Sequence, residues 1–196
     1  MMLTANEMLL KYSKKTAHAN EVKRLALMIF NEISTKFKPM TDKHREYLEA
    51  SCLLHDIGYK IDVHEHNKHS MNIIINEGLI GFNQKECEII ACICRYHRGG
   101  LPKKDKHEVY MDFEKQDRKL IKRLAGILKI SDGLDRTEIS LIKDIKMNFD
   151  TQNNIAEILL TPSNLDYYPD INCAIRKRDL FEIGFKLQTI IKFTTD

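Results

Sequence analysis

The sequence predicts a mainly α-helical fold, a bundle of about five core helices followed by a small C-terminal β-hairpin region and a terminal helix. Three observations carry that expectation. Only 8 glycines and 4 prolines punctuate 196 residues, which favours long helices over many short strands. Apolar residues recur at three-and-four spacing along most of the chain up to Gly133. From Ile145 onward the period drops to two, as in a strand with one buried face.

The first predicted helix covers Thr16 to about Lys36, where Val22, Leu25, Ala26, Ile29 and Ile33 form one face and His18, four residues before Val22, points into it. The second runs from Thr41, a good N-cap, to about Ile57; Tyr47, Leu48, Ser51, Leu54 and His55 share a stripe, His55 and Asp56 lie in the last turn, and Gly58 supplies the stop. A third, about Asn67 to Glu77, aligns His69, Ile73 and Asn76 and ends at Gly78. Asn83 with Glu86 is a capping-box-like start for a fourth, whose stripe is Cys87, Ile90, Ala91, Cys94 and His97 and which Gly99 and Gly100 close. Leu101 to Phe113, with Pro102 and a lysine-rich run, reads as a solvated loop able to act as a lid. A fifth helix, about Asp117 to Gly133, turns Leu120, Leu124, Ile127, Leu128 and Ser131 inward with Asp132 on the edge of the stripe. Ile145, Met147 and Phe149 then alternate with polar neighbours, and Asp150 to Asn154 forms a turn before the apolar run Ile155 to Leu160. Pro162 to Pro169 reads as a loop and Arg176 to about Phe193 as the terminal helix.

With 43% hydrophobic and 30% charged residues the chain has ample material for a core, and its formal charge of +3 is spread over mixed-sign segments. That balance argues against nucleic acid as a partner, because phosphate-backbone readers concentrate basic residues on one face. The longest apolar runs fall far short of the roughly 20 residues a membrane helix needs. The N-terminus lacks the order of a secretory signal, so a cytoplasmic protein is expected. Cys52, Cys87, Cys92, Cys94 and Cys173, an odd set without C-x-x-C pairing, read as reduced core thiols.

Four helices thus each bring a histidine to a core-facing edge, His18, His55, His69 and His97, and Asp56 and Asp132 join them. One histidine on an apolar stripe is usually a hydrogen-bonded core residue. Burying four imidazoles and two carboxylates together is costly unless something binds them, and divalent metals take such mixed nitrogen and oxygen shells. Arg95 and Arg98 flank His97, and Arg136 follows Asp132 by one helical turn, so these three are candidate phosphate-binding cations. Each arginine has an equally good reading as a solvated helix-end residue. Lys60 and Lys68 are weaker candidates, and the cluster Arg176, Lys177 and Arg178 fits a solvated face. His44, His64, His66 and His107 fall on loops or polar faces, with His66 the best reserve.

The order His18, His55-Asp56, Asp132 resembles the HD superfamily of metal-dependent phosphohydrolases, whose core is a helical bundle with ligands in that order. The stretches LLHDIGYKI, HNKHSMNIIIN, LIGFNQKECEIIACICRYHRGGLP and KISDGLDRT are similar to the HD-type C-terminal domain of the exopolyphosphatase and guanosine pentaphosphate phosphatase (Ppx/GppA) family, with a weaker likeness at DLFEIGFKL. The resemblance implies a first metal held by His18, His55, Asp56 and Asp132, and a second held by His69 and His97 with Asp56 bridging. Asp56, Arg98 and Arg136 would then be the catalytic residues, and Arg95, Arg98 and Arg136 the phosphate-binding ones. One or two ions are expected, from Mn, Fe, Co, Ni, Zn or Mg. The matching division is a metal-binding HD-type domain over residues 1–137, with 138–196 packed on it as one unit.

Two ions about 3.5–4 Å apart can clamp the attacking and leaving oxygens of a phosphate displacement. In the related family the polyphosphate-hydrolysing site belongs to an N-terminal ATPase-type region that this sequence does not match, so the HD module is expected to stand alone. The lysine that HD-GYP-type phosphodiesterases carry after HD-x-G is Tyr59 here. The leading expectation is a metal-dependent phosphohydrolase for a small phosphorylated molecule, such as a nucleotide or nucleotide polyphosphate. A non-catalytic phosphate- or nucleotide-binding regulatory module and a dimerisation module, with a second copy of the chain as partner, remain open.

Overall fold

The computed structural model describes residues 2–14, 16–102, 108–164 and 166–194. The first helix, α1 (Ala5–Tyr12), is not foreseen by the periodicity. It is started by a reciprocal cap in which the Thr4 hydroxyl accepts from the Glu7 amide and the Glu7 carboxylate accepts from the Thr4 amide. Met8 and Leu9 are its buried side chains, which anchor a helix otherwise too short to persist.

The predicted helices follow: α2 (Thr16–Lys36), α3 (Asp42–Leu54), α4 (His66–Glu77) and α5 (Gln84–Tyr96). Thr41 and Asn83 cap α3 and α5 as expected, and Gly78 ends α4 with a φ of 67°. The second helix stops earlier than predicted, at Leu54. His55 and Asp56 lie in a tight turn, and Ile57–Lys60 forms one turn of 3-10 helix.

The stretch predicted as a solvated lid contains instead a short helix, α6 (Glu108–Met111). Tyr110 is buried edge-on against Tyr96 and Phe113 is buried too, so apolar anchors hold this segment to α5. The lysine-rich run 103–107 lies outside the described residues. The central helix is α7 (Lys115–Leu134), whose C-terminal half is buried almost all round because α2, α3 and α5 pack against it.

Strands β1 (Ile142–Asp150) and β2 (Ile155–Pro162) form the expected antiparallel hairpin, and β1 lies on α2. The terminal helix needs correction. Two short helices, α8 (Asn172–Arg176) and α9 (Asp179–Phe185), are followed by a strand, β3 (Gln188–Phe193), which pairs parallel to β2. Leu187, Thr189 and Ile191 are buried while Gln188, Ile190 and Lys192 are exposed, a period of two under β-branched residues. Lys186, in the left-handed region at φ 60°, breaks the helix before it.

Both short helices sit directly on the α7 backbone. A Cβ at Gly126 would lie 2.6 Å from the Phe181 backbone, and one at Gly133 would lie 2.7 Å from Ala174 Cα. Buried Lys129 reaches across from α7 to Asp179 at 2.6 Å. Cys52, Cys87, Cys92 and Cys94 are buried and all five thiols are free; burial pushes the Cys92 thiol up to about 12. Among the described residues no helix is long and apolar enough to cross a membrane.

Candidate metal centre and anion cavity

The cluster is assembled from helix ends. His55 and His97 are the residues just after α3 and α5, His66 opens α4, His18 lies in the first turn of α2 and Asp132 in the last turn of α7. Side-chain clamps hold these ends together. Ser70 Oγ donates to the His55 carbonyl at 2.7 Å and accepts the Gly58 amide at 2.9 Å, tying α4 to the turn that carries Asp56. Asn67 Nδ2 donates to the carbonyls of Arg95 at 2.7 Å and Arg98 at 3.1 Å, which sets His66 beside His97.

Three rings are locked in one tautomer. The Nδ1 atoms of His55, His66 and His97 lie 2.8, 2.9 and 2.6 Å from the carbonyls of Cys52, Val63 and Cys94. A carbonyl only accepts, so each Nδ1 carries the hydrogen and each Nε2 presents a lone pair. Those lone pairs converge on Asp56. Its Oδ2 is 3.5 Å from His55 Nε2 and 4.0 Å from His18 Nε2, and its Oδ1 is 3.3 Å from His66 Nε2 and 3.5 Å from His97 Nε2. Asp132 Oδ1 adds a further oxygen 3.4 Å from His18 Nε2.

Two groups of donors therefore share one carboxylate: His18, His55 and Asp56, and Asp56, His66 and His97, with the ligand atoms of each group within 4.8 Å of one another. His55 Nε2 is buried with no hydrogen-bond partner, and the Nε2 atoms of His66 and His97 face each other at 3.3 Å. Both are unfavourable as they stand and become favourable with a cation between them, so this donor set fits divalent metal.

The residues expected to hold or serve that metal are not all brought together. His18, His55, Asp56, His97 and Asp132 are; His69 is not. It lies three residues into α4, half-buried and away from the end that meets Asp56, and His66 stands where His69 was expected. Helical periodicity favoured His69 because it is in line with Ile73, whereas the site selects helix ends.

Asp135 was also missed. Its Oδ2 is 2.8 Å from His18 Nδ1, and its Oδ1 accepts the Ser140 amide at 3.1 Å, so it orients His18 from behind. The signal was available, since Asp135 follows Asp132 by three residues on one helix face. Asp135→Asn should weaken metal binding ten- to a hundred-fold, the usual cost of losing such a support, as read by competition with a chromogenic chelator.

Charge follows from this geometry. Burial alone lowers the His18 pKa, yet the Asp132 and Asp135 carboxylates outweigh it and hold the imidazole up at about 10. Burial and the neighbouring His55 push His97 down to about 3, and burial also lowers His66. Burial likewise opposes ionisation of Asp132, but the His18 hydrogen bond and the Lys177 charge hold its carboxyl well below the usual range.

At pH 7 the metal-free protein therefore carries its proton on His18, and a cation binding His18 Nε2 must displace it. Metal uptake should release about one proton per chain, and affinity should rise with pH up to about 10. Calorimetry in buffers of different ionisation enthalpy reads this directly; uptake without proton release would remove His18 from the ligands. The raised His18 value also makes its contribution to metal-free stability complete below the ordinary 6.5 and lost as pH rises through about 10.

The cluster opens into a cavity of about 720 Å³. Arg98 and Arg136 line it as expected, and so do Lys60, Lys14, Arg176 and Lys177. Arg95 does not: its guanidinium lies 5.8 Å over the Tyr96 ring and its carbonyl is held by Asn67. Lys177 donates to Asp132 Oδ2, so the Arg176-Lys177 segment is not merely a solvated face. Of the segment 101–113, no described residue lines the cavity.

Residues 2–177 match the family model described as Ppx/GppA phosphatase, domain III. The chain belongs to this family. The domain III match takes in α1 to α8, every residue of the cluster and all six cavity cations, and it ends before β3. Among curated proteins, the chain is similar to a guanosine-5'-triphosphate,3'-diphosphate pyrophosphatase of Pseudoalteromonas translucida (strain TAC 125), 29% identical over 93 residues. That alignment covers 47% of this chain and 19% of the relative, so this domain III protein spans about a fifth of the relative's length.

Proposed function

We propose that the protein is an HD-type, metal-dependent phosphohydrolase acting on a small phosphorylated molecule, such as a nucleotide or nucleotide polyphosphate. The observation that carries this reading is the pair of donor groups sharing Asp56 at the floor of a cation-lined cavity. His18, His55, Asp56 and Asp132 would hold one divalent ion, and His66 and His97 a second with Asp56 between them. When bound, divalent cations supply Lewis-acid activation of water and of phosphate oxygens.

The chain's own residues do the rest. Asp56 offers one oxygen to each group, and Asp135 fixes the His18 ring. Tyr59 stacks on His66 with centroids 3.9 Å apart and steadies it. Arg98 and Arg136 bind and orient phosphate by charge-assisted hydrogen bonds, leaving Asp56 free for its ligand role. Residues 1–137 thus supply the ligands, and 138–196 adds Lys177 and Arg176.

Membership of a domain III family supports a second reading, a phosphate- or nucleotide-binding module without turnover. A hydrolysis screen over nucleotides, nucleotide polyphosphates, cyclic nucleotides and inorganic polyphosphate, with metal content measured in parallel, separates them. We expect metal-dependent hydrolysis of a small compound rather than processive degradation of long polyphosphate. Arg98→Ala and Arg136→Ala should weaken turnover and spare metal content, because arginine has no lone pair to offer a cation. Fully metallated protein inert toward every compound would leave the binding module.

A further inference from the structure

Resting on the reading that His18, His55, Asp56 and Asp132 hold a divalent ion, we infer that Lys177 keeps one oxygen of Asp132 away from that ion and so holds one of its coordination positions open. The lysine is a positioning residue: it acts through a ligand, not on the metal or on a substrate. It follows α8, outside the helices that supply the donors.

The two carboxylates of the cluster are presented differently. Asp56 turns Oδ2 toward His18 and His55 and Oδ1 toward His66 and His97. Asp132 turns Oδ1 toward His18 Nε2 at 3.4 Å and His55 Nε2 at 4.0 Å, while its Oδ2 accepts from the Lys177 ammonium. A carboxylate can bind a cation through one oxygen or through both. An ammonium bonded to the second oxygen competes for its lone pairs and repels a cation on that side. The pair is poorly screened, since the Lys177 and Asp132 side chains are only 20% and 13% exposed.

The backbone fixes this contact. The Lys177 amide donates to the carbonyls of Cys173 and Ala174 at 3.1 Å each, closing α8, and Ala174 is fully buried. A Cβ at Gly133 would lie 2.7 Å from Ala174 Cα, so α8 is seated on the residue next to Asp132. With Asp132 giving one oxygen, four protein atoms would surround the ion: Nε2 of His18 and His55, one oxygen of Asp56 and Oδ1 of Asp132. A fifth from the same carboxylate would fill a place that water or a phosphate oxygen needs. Closed shells suit structural metals, whereas open ones suit metals that act on a bound molecule. The arrangement weakens the hold on the ion, because a positive charge beside a doubly charged cation is unfavourable. That sets the sign of the test.

The test is cobalt(II) binding to the full chain in a His66→Ala background, which weakens the other donor group, read by chelator competition and by visible d–d absorption. Both readouts are independent of hydrolysis. Lys177→Met should bind cobalt about tenfold tighter, the scale of one charge-assisted contact released. Its d–d bands should be weaker, because cobalt absorbs less as its shell fills. Azide, which ligates open cobalt positions, should shift the spectrum of the background protein but not that of Lys177→Met. Lys177→Gln, a milder change, should move affinity in the same direction, and Lys177→Arg, which keeps a charged donor, should stay within about threefold of the background protein. Arg178→Gln removes the same charge one residue on, from a guanidinium paired with Glu182 at 3.2 Å, and should leave affinity and spectrum unchanged. Weaker cobalt binding by both Lys177→Met and Lys177→Gln would mean that the lysine only steadies Asp132, and would overturn the inference. Unchanged affinity in both, or an azide response retained in Lys177→Met, would overturn it too. A wild-type chain that binds no cobalt would instead overturn the metal reading, and the inference with it.

Discussion

Asp56→Ala should strip the protein of its divalent metal and reduce hydrolysis by at least about 10²–10³-fold, the scale on which one preorganised electrostatic contact acts. Among the described residues Asp56 alone belongs to both donor groups, since its two oxygens divide between His18 and His55 on one side and His66 and His97 on the other. Removing it leaves four imidazoles converging with no shared anion. Asp56→Asn keeps the shape and loses the charge, so it should fail nearly as badly in metal content while folding normally. Cys52→Ala should leave metal content unchanged, because that thiol is buried in the apolar core. Retention of metal by Asp56→Ala alongside its loss in the cysteine variant would invert the ligand assignment.

Gly58→Ala should have the largest effect on the fold. An added Cβ would come 1.9 Å from the His66 carbonyl oxygen and 2.6 Å from the Ser70 amide nitrogen, both backbone atoms that no rotamer change can move. The start of α4 must therefore shift, at a cost of about 3 kcal/mol or more, the upper end for overpacking. The same shift breaks the Ser70 clamp on the His55 carbonyl and carries His66 away from Asp56. Denaturant melts should show the loss, and any folded fraction should hold less metal at the half formed by His66 and His97. Gly100→Ala is the control: among the described residues nothing lies within 4 Å of its added Cβ, and its φ is outside the left-handed region, so stability and metal should be unchanged.

Most of the helical framework is legible in the sequence because local rules and packing agree there. Thr16–Lys36 carries one uninterrupted apolar stripe, and Thr41 and Asn83 are caps whose reciprocal bonds form as their spacing demands. The errors occur where a local rule competes with tertiary contact. Leu180, Phe181 and Phe185 begin a helical pattern that Leu187 and Ile191 can extend on paper, but the β2 edge rewards the alternation of Leu187, Thr189 and Ile191 instead.

The same conflict explains His69. A stripe argument ranks residues by their place along a helix face, whereas this site is built where five helix ends meet, so the first residue of α4 reaches Asp56 and the residue one turn on does not. Arg176 and Lys177 were hidden for a different reason. Their place in the cavity wall depends on α8 resting against Gly133, a contact that neither hydropathy nor charge pattern records.

The central claim is that these converging donors hold divalent cations, and metal stoichiometry tests it most directly. Protein reconstituted separately with Mn, Fe, Co, Ni, Zn and Mg, then freed of excess ion, should retain between one and two equivalents of at least one of them by elemental analysis, with His66→Ala lowering the count and His69→Ala leaving it unchanged. Retention of no metal by the folded protein, or loss of it on replacing His69 but not His66, would contradict the account.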